Sequence, residues 1–135
     1  MIRVQLVDDD ERVRRGWQMR LALEPEIEVV GMAGELAAAV VMAAVTQPHV
    51  ILLDIKLPDI SGISGMEQLR RAAPRCAIII VTVYDSAANR EQALHAGADA
   101  FLSKQANFDQ LLALIGDLGA AVISAQSGGA QRTDR

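Results

Sequence analysis

The fold this sequence predicts is an open, doubly wound α/β sheet with helices on both faces. Short aliphatic runs alternate with segments of helical period, the pattern of βαβ units around a parallel sheet. Two of the runs, Val50-Ile51-Leu52-Leu53 and Cys76-Ala77-Ile78-Ile79-Ile80-Val81, are apolar without alternation, as strands covered on both faces are. Polar side chains collect where the runs end. Asp8 and Asp9 follow the first, Asp54 the third, Thr82 the fourth and Lys104 the fifth.

In chain order, Ile2 to Val7 is the first strand. The acids behind it precede a helix from about Glu11 to Leu23. Asp9 or Asp10 caps its start, Glu11 suits its positive end and Pro25 stops it. Val13, Trp17, Leu21 and Met19 are its core candidates, with Arg12, Arg14, Arg15 and Arg20 toward water. Ile27 to Met32 is the second strand. Gly31 and Gly34 near its end do not form a dinucleotide fingerprint. Glu35 to Thr46 is an Ala-rich helix, apolar nearly all round, so Val41, Met42 and Val45 are candidates for a contact with another chain. Val50 to Leu53 is the third strand, closed by Asp54 and Pro58. A loop through Gly62 leads into a helix from about Ser64 to Ala73, and Cys76 to Val81 is the fourth strand. Ser86 caps a helix to about Ala96, with Gly97 as its stop. Asp99 to Leu102 is the fifth strand. Asn107 then caps a helix from about Phe108 to Ser124. Residues 1–124 thus form one domain, and 125–135 read as a flexible tail or interdomain linker.

Composition narrows the classes. At 135 residues, 51% of them hydrophobic and 3% aromatic, one domain with an aliphatic core is expected. A net charge of −4 argues against a basic face for nucleic acid. Cys76 is the only cysteine, which excludes an internal disulfide and any Cys/His metal spacing. The start lacks a signal-peptide layout, and no apolar run is read as reaching the ~20 residues of a membrane span. A soluble cytoplasmic domain is the expectation. His49 and His95 lie away from the polar strand ends, and they and Cys76 are read as structural.

In a doubly wound sheet, ligands bind beyond the carboxyl ends of the strands. Asp8, Asp9, Asp54, Thr82 and Lys104 converge there. Clustered carboxylates raise one another's pKa, and a divalent cation relieves the repulsion. Hard oxygen ligands without His or Cys suit Mg²⁺. Lys104 and Thr82 can serve phosphoryl oxygens, and Asp54 can attack phosphorus in line to give an aspartyl phosphate. Glycoside chemistry would want an aromatic-lined cleft, for which one Trp, one Tyr and two Phe are few.

The set Val7-Asp8-Asp9, Leu53-Asp54-Ile55-Lys56-Leu57-Pro58, Gly62, Val81-Thr82 and Phe101-Leu102-Ser103-Lys104 resembles the receiver domain of two-component response regulators over residues 1–124. The resemblance implies a flavodoxin-like (βα)5 fold with strand order 2-1-3-4-5. It implies phosphorylation of Asp54 from a phosphohistidine on a sensor histidine kinase, with Mg²⁺. It makes Asp9 and Asp54 direct metal ligands, Asp8 a ligand through water and the Lys56 backbone carbonyl a further ligand. It makes Thr82 and Phe101 a switch pair, and Lys56 and Tyr84 neighbours of the attacking water in dephosphorylation. The Leu23-Glu24-Pro25-Glu26-Ile27-Glu28-Val29-Val30-Gly31 and Phe101-Leu102-Ser103-Lys104 stretches look like the subfamily with a LuxR-type helix-turn-helix output, and homodimerisation is plausible in it. Gln105 departs from the proline common after the family's lysine. The expected function is a phosphorylation switch, not an enzyme on metabolites. Its output would be transcription through a DNA-binding domain outside this chain. The alternatives are a stand-alone receiver acting by protein contact and an aspartyl-nucleophile phosphohydrolase. The latter wants Asp-x-Asp, where this chain has Asp54-Ile55-Lys56.

Overall fold

Strands and helices alternate strictly: β1 (Ile2–Val7), α1 (Glu11–Leu21), β2 (Ile27–Ala33), α2 (Leu36–Thr46), β3 (Val50–Leu53), α3 (Gly62–Ala72), β4 (Ala77–Thr82), α4 (Ala87–His95), β5 (Ala100–Ser103) and α5 (Phe108–Thr133). The computed structural model describes the backbone of residues 1–133 and the side chains of residues 1–127. The strands form one parallel sheet in the order β2-β1-β3-β4-β5.

The period of two along each strand sorts the apolar side chains into two layers. Val7, Ile51, Leu53, Ile78, Ile80 and Phe101 face α2, α3 and α4 through Leu36, Met66, Leu69 and Ala93. Val4, Leu6, Val50, Leu52, Ile79 and Val81 face α1 and α5 through Leu21, Trp17, Leu111 and Ile115. β3 and β4 are buried at every position, which is why their sequences run apolar without alternation. Gln5 on β1 is polar yet fully buried. Its amide donates to the Ala39 carbonyl at 2.9 Å and ties β1 to α2.

Helix starts follow local chemistry. Asp10 accepts from the Arg12 N–H at 2.9 Å, so Asp10 and not Asp9 caps α1. Ser86 accepts from the Asn89 N–H and Asn107 from the Asp109 N–H. The Ser61 hydroxyl accepts from the Ile63 N–H at 3.2 Å, and α3 therefore opens two residues earlier than the loop composition predicts. Gly97 closes α4 at φ 109°, a left-handed position suited to glycine.

α2 is capped from outside its own sequence. Glu35 makes no side-chain cap. Both oxygens of Asp59, in the loop after β3, accept from the Leu36 and Ala37 N–H groups at 2.9 Å. These bonds hold the Asp59 carboxyl below the usual carboxylate range. A depressed folded-state pKa contributes stability that is present above about pH 4 and is lost as pH falls through the folded value. Asp59→Ala is expected to melt lower than wild type at neutral pH. That difference should shrink as both proteins are acidified toward about pH 3. Thermal melts across pH check this, and a pH-independent difference would refute it.

Three expectations need correction. Met19 is 71% exposed, because it lies on the outward face of α1 opposite Leu21. Trp17 and Leu21 do pack inward, while Val13 is half-buried. The helix expected to end near Ser124 runs on to Thr133, so residues 125–133 are helical where a flexible tail was expected. No proline interrupts that stretch, and Gly and Ser lower helix propensity by only about 1 kcal/mol or less per residue. Residues 134–135 lie outside the described residues. The same helix bears on the membrane expectation. Phe108–Ser127 is long and apolar enough to cross a membrane by length and composition. Leu111 and Ile115 from this stretch are buried against the sheet, and α5 packs on β1, β3 and β4.

On α2, Val41 and Val45 are exposed while Met42 packs over Gly31. His49 sits below the sheet, where its Nδ1 accepts from the Arg3 N–H at 3.0 Å. His95 is exposed in the last turn of α4. Cys76 is buried, and burial pushes its thiol up to about 11.

Candidate functional site

Sheet register brings the polar strand ends together. Val7 pairs with Leu53, so Asp8 and Asp54 are neighbours on adjacent strands. The ladder continues through the Asp54 N–H to the Val7 carbonyl at 3.0 Å and the Asp8 N–H to the Ala33 carbonyl at 3.1 Å. Thr82 pairs with Ser103, and the Lys104 N–H donates to the Thr82 carbonyl at 2.9 Å. These bonds fix each Cα, and therefore the directions from which the side chains converge.

Asp8, Asp54 and Thr82 are buried, and Asp9 is exposed at the mouth. The Lys104 ammonium reaches back over the edge. Its Nζ donates to Asp54 Oδ2 at 2.8 Å and forms an ion pair with Asp8 Oδ2 at 2.5 Å. Asp8 Oδ1 accepts from the Asp10 N–H at 2.9 Å, and the Arg14 guanidinium donates to the Asp8 carbonyl. Burial raises the Asp8 carboxyl above its ordinary range, with Lys104 working against that rise. Burial alone would lower Lys104, but its bonds with Asp54 and Asp8 outweigh it and hold the ammonium above its ordinary value.

The acids fit a cation. Asp8, Asp9 and Asp54 each present a carboxylate oxygen within 4.8 Å of the others. Asp54 Oδ1 is buried with no hydrogen-bond partner among the described residues, which is costly without a ligand. Three carboxylates against the Lys104 ammonium leave an excess of two negative charges, the charge of one divalent ion. The donors are all oxygen, which suits a hard metal.

The remaining candidates are arranged around this centre. Thr82 Oγ1 accepts from the Tyr84 N–H at 3.1 Å, leaving its own proton to donate. Phe101 is buried in the layer beneath α4, with the Arg90 guanidinium 5.9 Å from its ring centroid. The Lys56 side chain is exposed, its Nζ 5.6 Å from the Tyr84 ring. No cis peptide occurs among the described residues, so the Lys104–Gln105 bond is trans, and the Gln105 N–H donates to Ser103 Oγ at 3.1 Å.

One residue at the site escapes a reading of the sequence, and another is named by it without its reason. Arg14 was assigned to solvent by its helical phase, yet it holds the Asp8 carbonyl. Gly62 belongs to the motif, but its reason is spatial. Its N–H donates to the Ile55 carbonyl at 2.7 Å, and a Cβ on it would overlap the Asp54 carbonyl oxygen.

A response regulator receiver domain model matches residues 4–116, most of the chain. The chain belongs to the response regulator receiver domain family. Among curated relatives of this receiver domain, transcriptional regulatory protein UhpA of Salmonella typhimurium is 41% identical over 115 residues, 85% of this chain and 57% of that protein. The DNA-binding transcriptional activator DevR/DosR of Mycobacterium tuberculosis is 38% identical over 120 residues, 89% of this chain and 55% of that protein. The chain thus spans little more than half the length of these relatives. Among solved structures, a LuxR-family two-component response regulator from Aurantimonas superposes with a TM-score of 0.82 at 28% identity, covering 88% of this chain and 85% of that one. The receiver of Thermotoga maritima CheB superposes with a TM-score of 0.80 at 30% identity over 89% and 97%. The flavodoxin-like fold with order 2-1-3-4-5 is that of these receivers. Receiver domains are signalling domains of two-component systems, not enzymes acting on metabolites.

Proposed function

We propose that this receiver accepts a phosphoryl group from the phosphohistidine of a sensor histidine kinase onto Asp54. The observation that carries the reading is the buried, unpartnered Asp54 Oδ1 beside Asp8, Asp9, Thr82 and Lys104 at one sheet edge. Mg²⁺ is the proposed cation. Asp9 and Asp54 would hold it directly, Asp8 through water and Lys56 through its backbone carbonyl, and it would supply charge neutralisation for phosphoryl oxygens.

In this reading an Asp54 carboxylate oxygen bonds to phosphorus as the bond to the donor imidazole nitrogen breaks, and the imidazole leaves with that electron pair. Lys104 turns from the carboxylates to a phosphoryl oxygen, and the Thr82 hydroxyl donates to another. Phe101, behind Thr82, follows the movement of that side chain. Hydrolysis of the acyl phosphate returns Asp54 to its starting form. The missing second acid at position 56 speaks against a phosphohydrolase acting on outside substrates. Labelling by acetyl phosphate with Mg²⁺ tests the reading.

Lys104→Ala is expected still to take the label while losing the phosphorylation-dependent shift of the Thr82 and Phe101 amide signals. Two-dimensional NMR of labelled and unlabelled protein measures this. An unchanged shift would remove the relay role from Lys104.

The proposed output is transcription, through a DNA-binding domain beyond these residues. UhpA and DevR/DosR, by their names, are transcriptional regulators, and this chain spans about half of each. Residues 125–135 would then serve as the connection between domains. The competing reading is a stand-alone receiver acting by protein contact, and the encoding reading frame separates the two. A cytoplasmic location and phosphorylation-dependent homodimerisation belong to the same proposal. Native mass spectrometry with and without a phosphoryl mimic tests the dimer.

A further inference from the structure

Beside the acid cluster, α1 and the turn between β5 and α5 enclose a cleft of about 270 Å³. That volume lies just below the ~300–1,000 Å³ usual for small-molecule sites. Trp17 and Phe108 supply aromatic walls, and Val13, Leu102 and Leu111 supply an apolar lining. Lys104 also lines it, although its ammonium is engaged by Asp8 and Asp54.

The cation available to a ligand is Arg20. Its guanidinium carbon lies 3.8 Å from the Phe108 ring centroid. Stacking holds the plane in one direction and leaves the N–H edge open. Among the described residues Arg20 makes no hydrogen bond or ion pair. The other arginines of α1 are engaged: Arg12 with Asp10, Arg14 with the Asp8 carbonyl and Arg15 with Glu11. An oriented guanidinium with unused donors therefore stands at an aromatic-walled, largely apolar cleft. Such a guanidinium pairs best with a planar carboxylate, through two parallel hydrogen bonds. The flat walls select a flat apolar body.

We propose that this cleft binds a small planar aromatic carboxylate, its ring against Trp17 and its carboxylate on the Arg20 guanidinium that stacks on Phe108. The site adjoins the phosphoacceptor centre, and Lys104 lines the one and bonds within the other.

Gly16 provides the control. It lines the cleft, and a Cβ added to it meets nothing within 4 Å. The first side-chain carbon of Gly16→Leu thus meets no clash and the rest extends into the cleft, while replacing a helical glycine favours the fold. Trp17 is the only tryptophan in the chain, so its emission reports the cleft directly.

The experiment titrates the full chain with benzoate and with neutral benzamide. It follows Trp17 emission and the Gly16 and Trp17 amide signals. Benzoate is expected to saturate with a Kd of about 1 mM, ordinary for a ligand of its size. Benzamide and the Arg20→Gln variant should each bind about tenfold more weakly. Gly16→Leu should melt at or above the wild-type temperature and show no saturable change. A response to benzoate that stays linear would overturn the proposal, as would equal binding of benzamide or wild-type affinity in Gly16→Leu.

Discussion

Asp54→Asn is expected to abolish phosphoryl labelling, where wild type takes up to one phosphoryl group per chain from acetyl phosphate and Mg²⁺. The substitution keeps the shape of the side chain but replaces the nucleophilic carboxylate oxygen with an amide. Thr82, Lys104 and the sheet around them are untouched, so the loss belongs to the reacting atom and not to the fold. The same change removes one carboxylate from the acid cluster, whose oxygens lie within 4.8 Å of one another. A ligand that binds only the folded state stabilises by about 2.7 kcal/mol at a hundredfold excess over its Kd. For a domain of this size that is a rise of roughly 10 °C in melting temperature. Mg²⁺ should produce a rise of that order in wild type and a much smaller one in Asp54→Asn. Asp117→Asn, at an exposed acid on α5, should behave as wild type in both measurements. Stoichiometric label in Asp54→Asn would place the phosphoacceptor elsewhere and end the assignment.

The legibility of this protein in its sequence divides along a physical line. β3 and β4 are buried on both faces, so their composition alone marks them, and Asp54 and Thr82 stand out because they end such runs. Once parallel pairing is inferred, neighbouring strand ends must share an edge, and the acids and the lysine become one site. Contacts between distant segments carry no such mark. The Asp59 cap on α2 joins residues 23 positions apart, and nothing in the periodicity near Leu36 reveals it. Arg14 has the phase of a solvent-facing residue, but its long side chain folds back to the Asp8 carbonyl. The end of α5 is hidden for the opposite reason. Gly and Ser after Ser124 look like linker composition, yet each costs a helix too little to stop it without a proline or a cap.

Gly62→Ala should damage the site as much as a change to one of its acids, although residue 62 carries no chemistry. Gly62 opens α3 immediately after the Ser61 cap, where helical backbone angles are open to any residue. Conformational freedom is therefore not what demands glycine here. Space is: a Cβ would overlap the Asp54 carbonyl oxygen and lie 3.0 Å from its carbonyl carbon and 3.2 Å from Ile55 Cα. These are backbone atoms of the segment that positions Asp54, and they cannot turn aside as a side-chain tip could. One escape is to push the 54–56 backbone off β3, weakening the Asp54 N–H bond to the Val7 carbonyl. The other is to lift α3, weakening the Gly62 N–H bond to the Ile55 carbonyl and the packing of Met66 and Leu69 in the core. Overpacking of this kind costs about 1–3 kcal/mol. Denaturant melts should show a loss in that range, with the Mg²⁺-dependent stabilisation reduced beyond it because Asp54 and the Lys56 backbone move together. Ser64→Ala, two residues on and exposed, leaves those backbone atoms alone and should change neither. If Gly62→Ala kept wild-type stability and wild-type Mg²⁺ response, the close approach at residue 62 would not be what holds Asp54 in place.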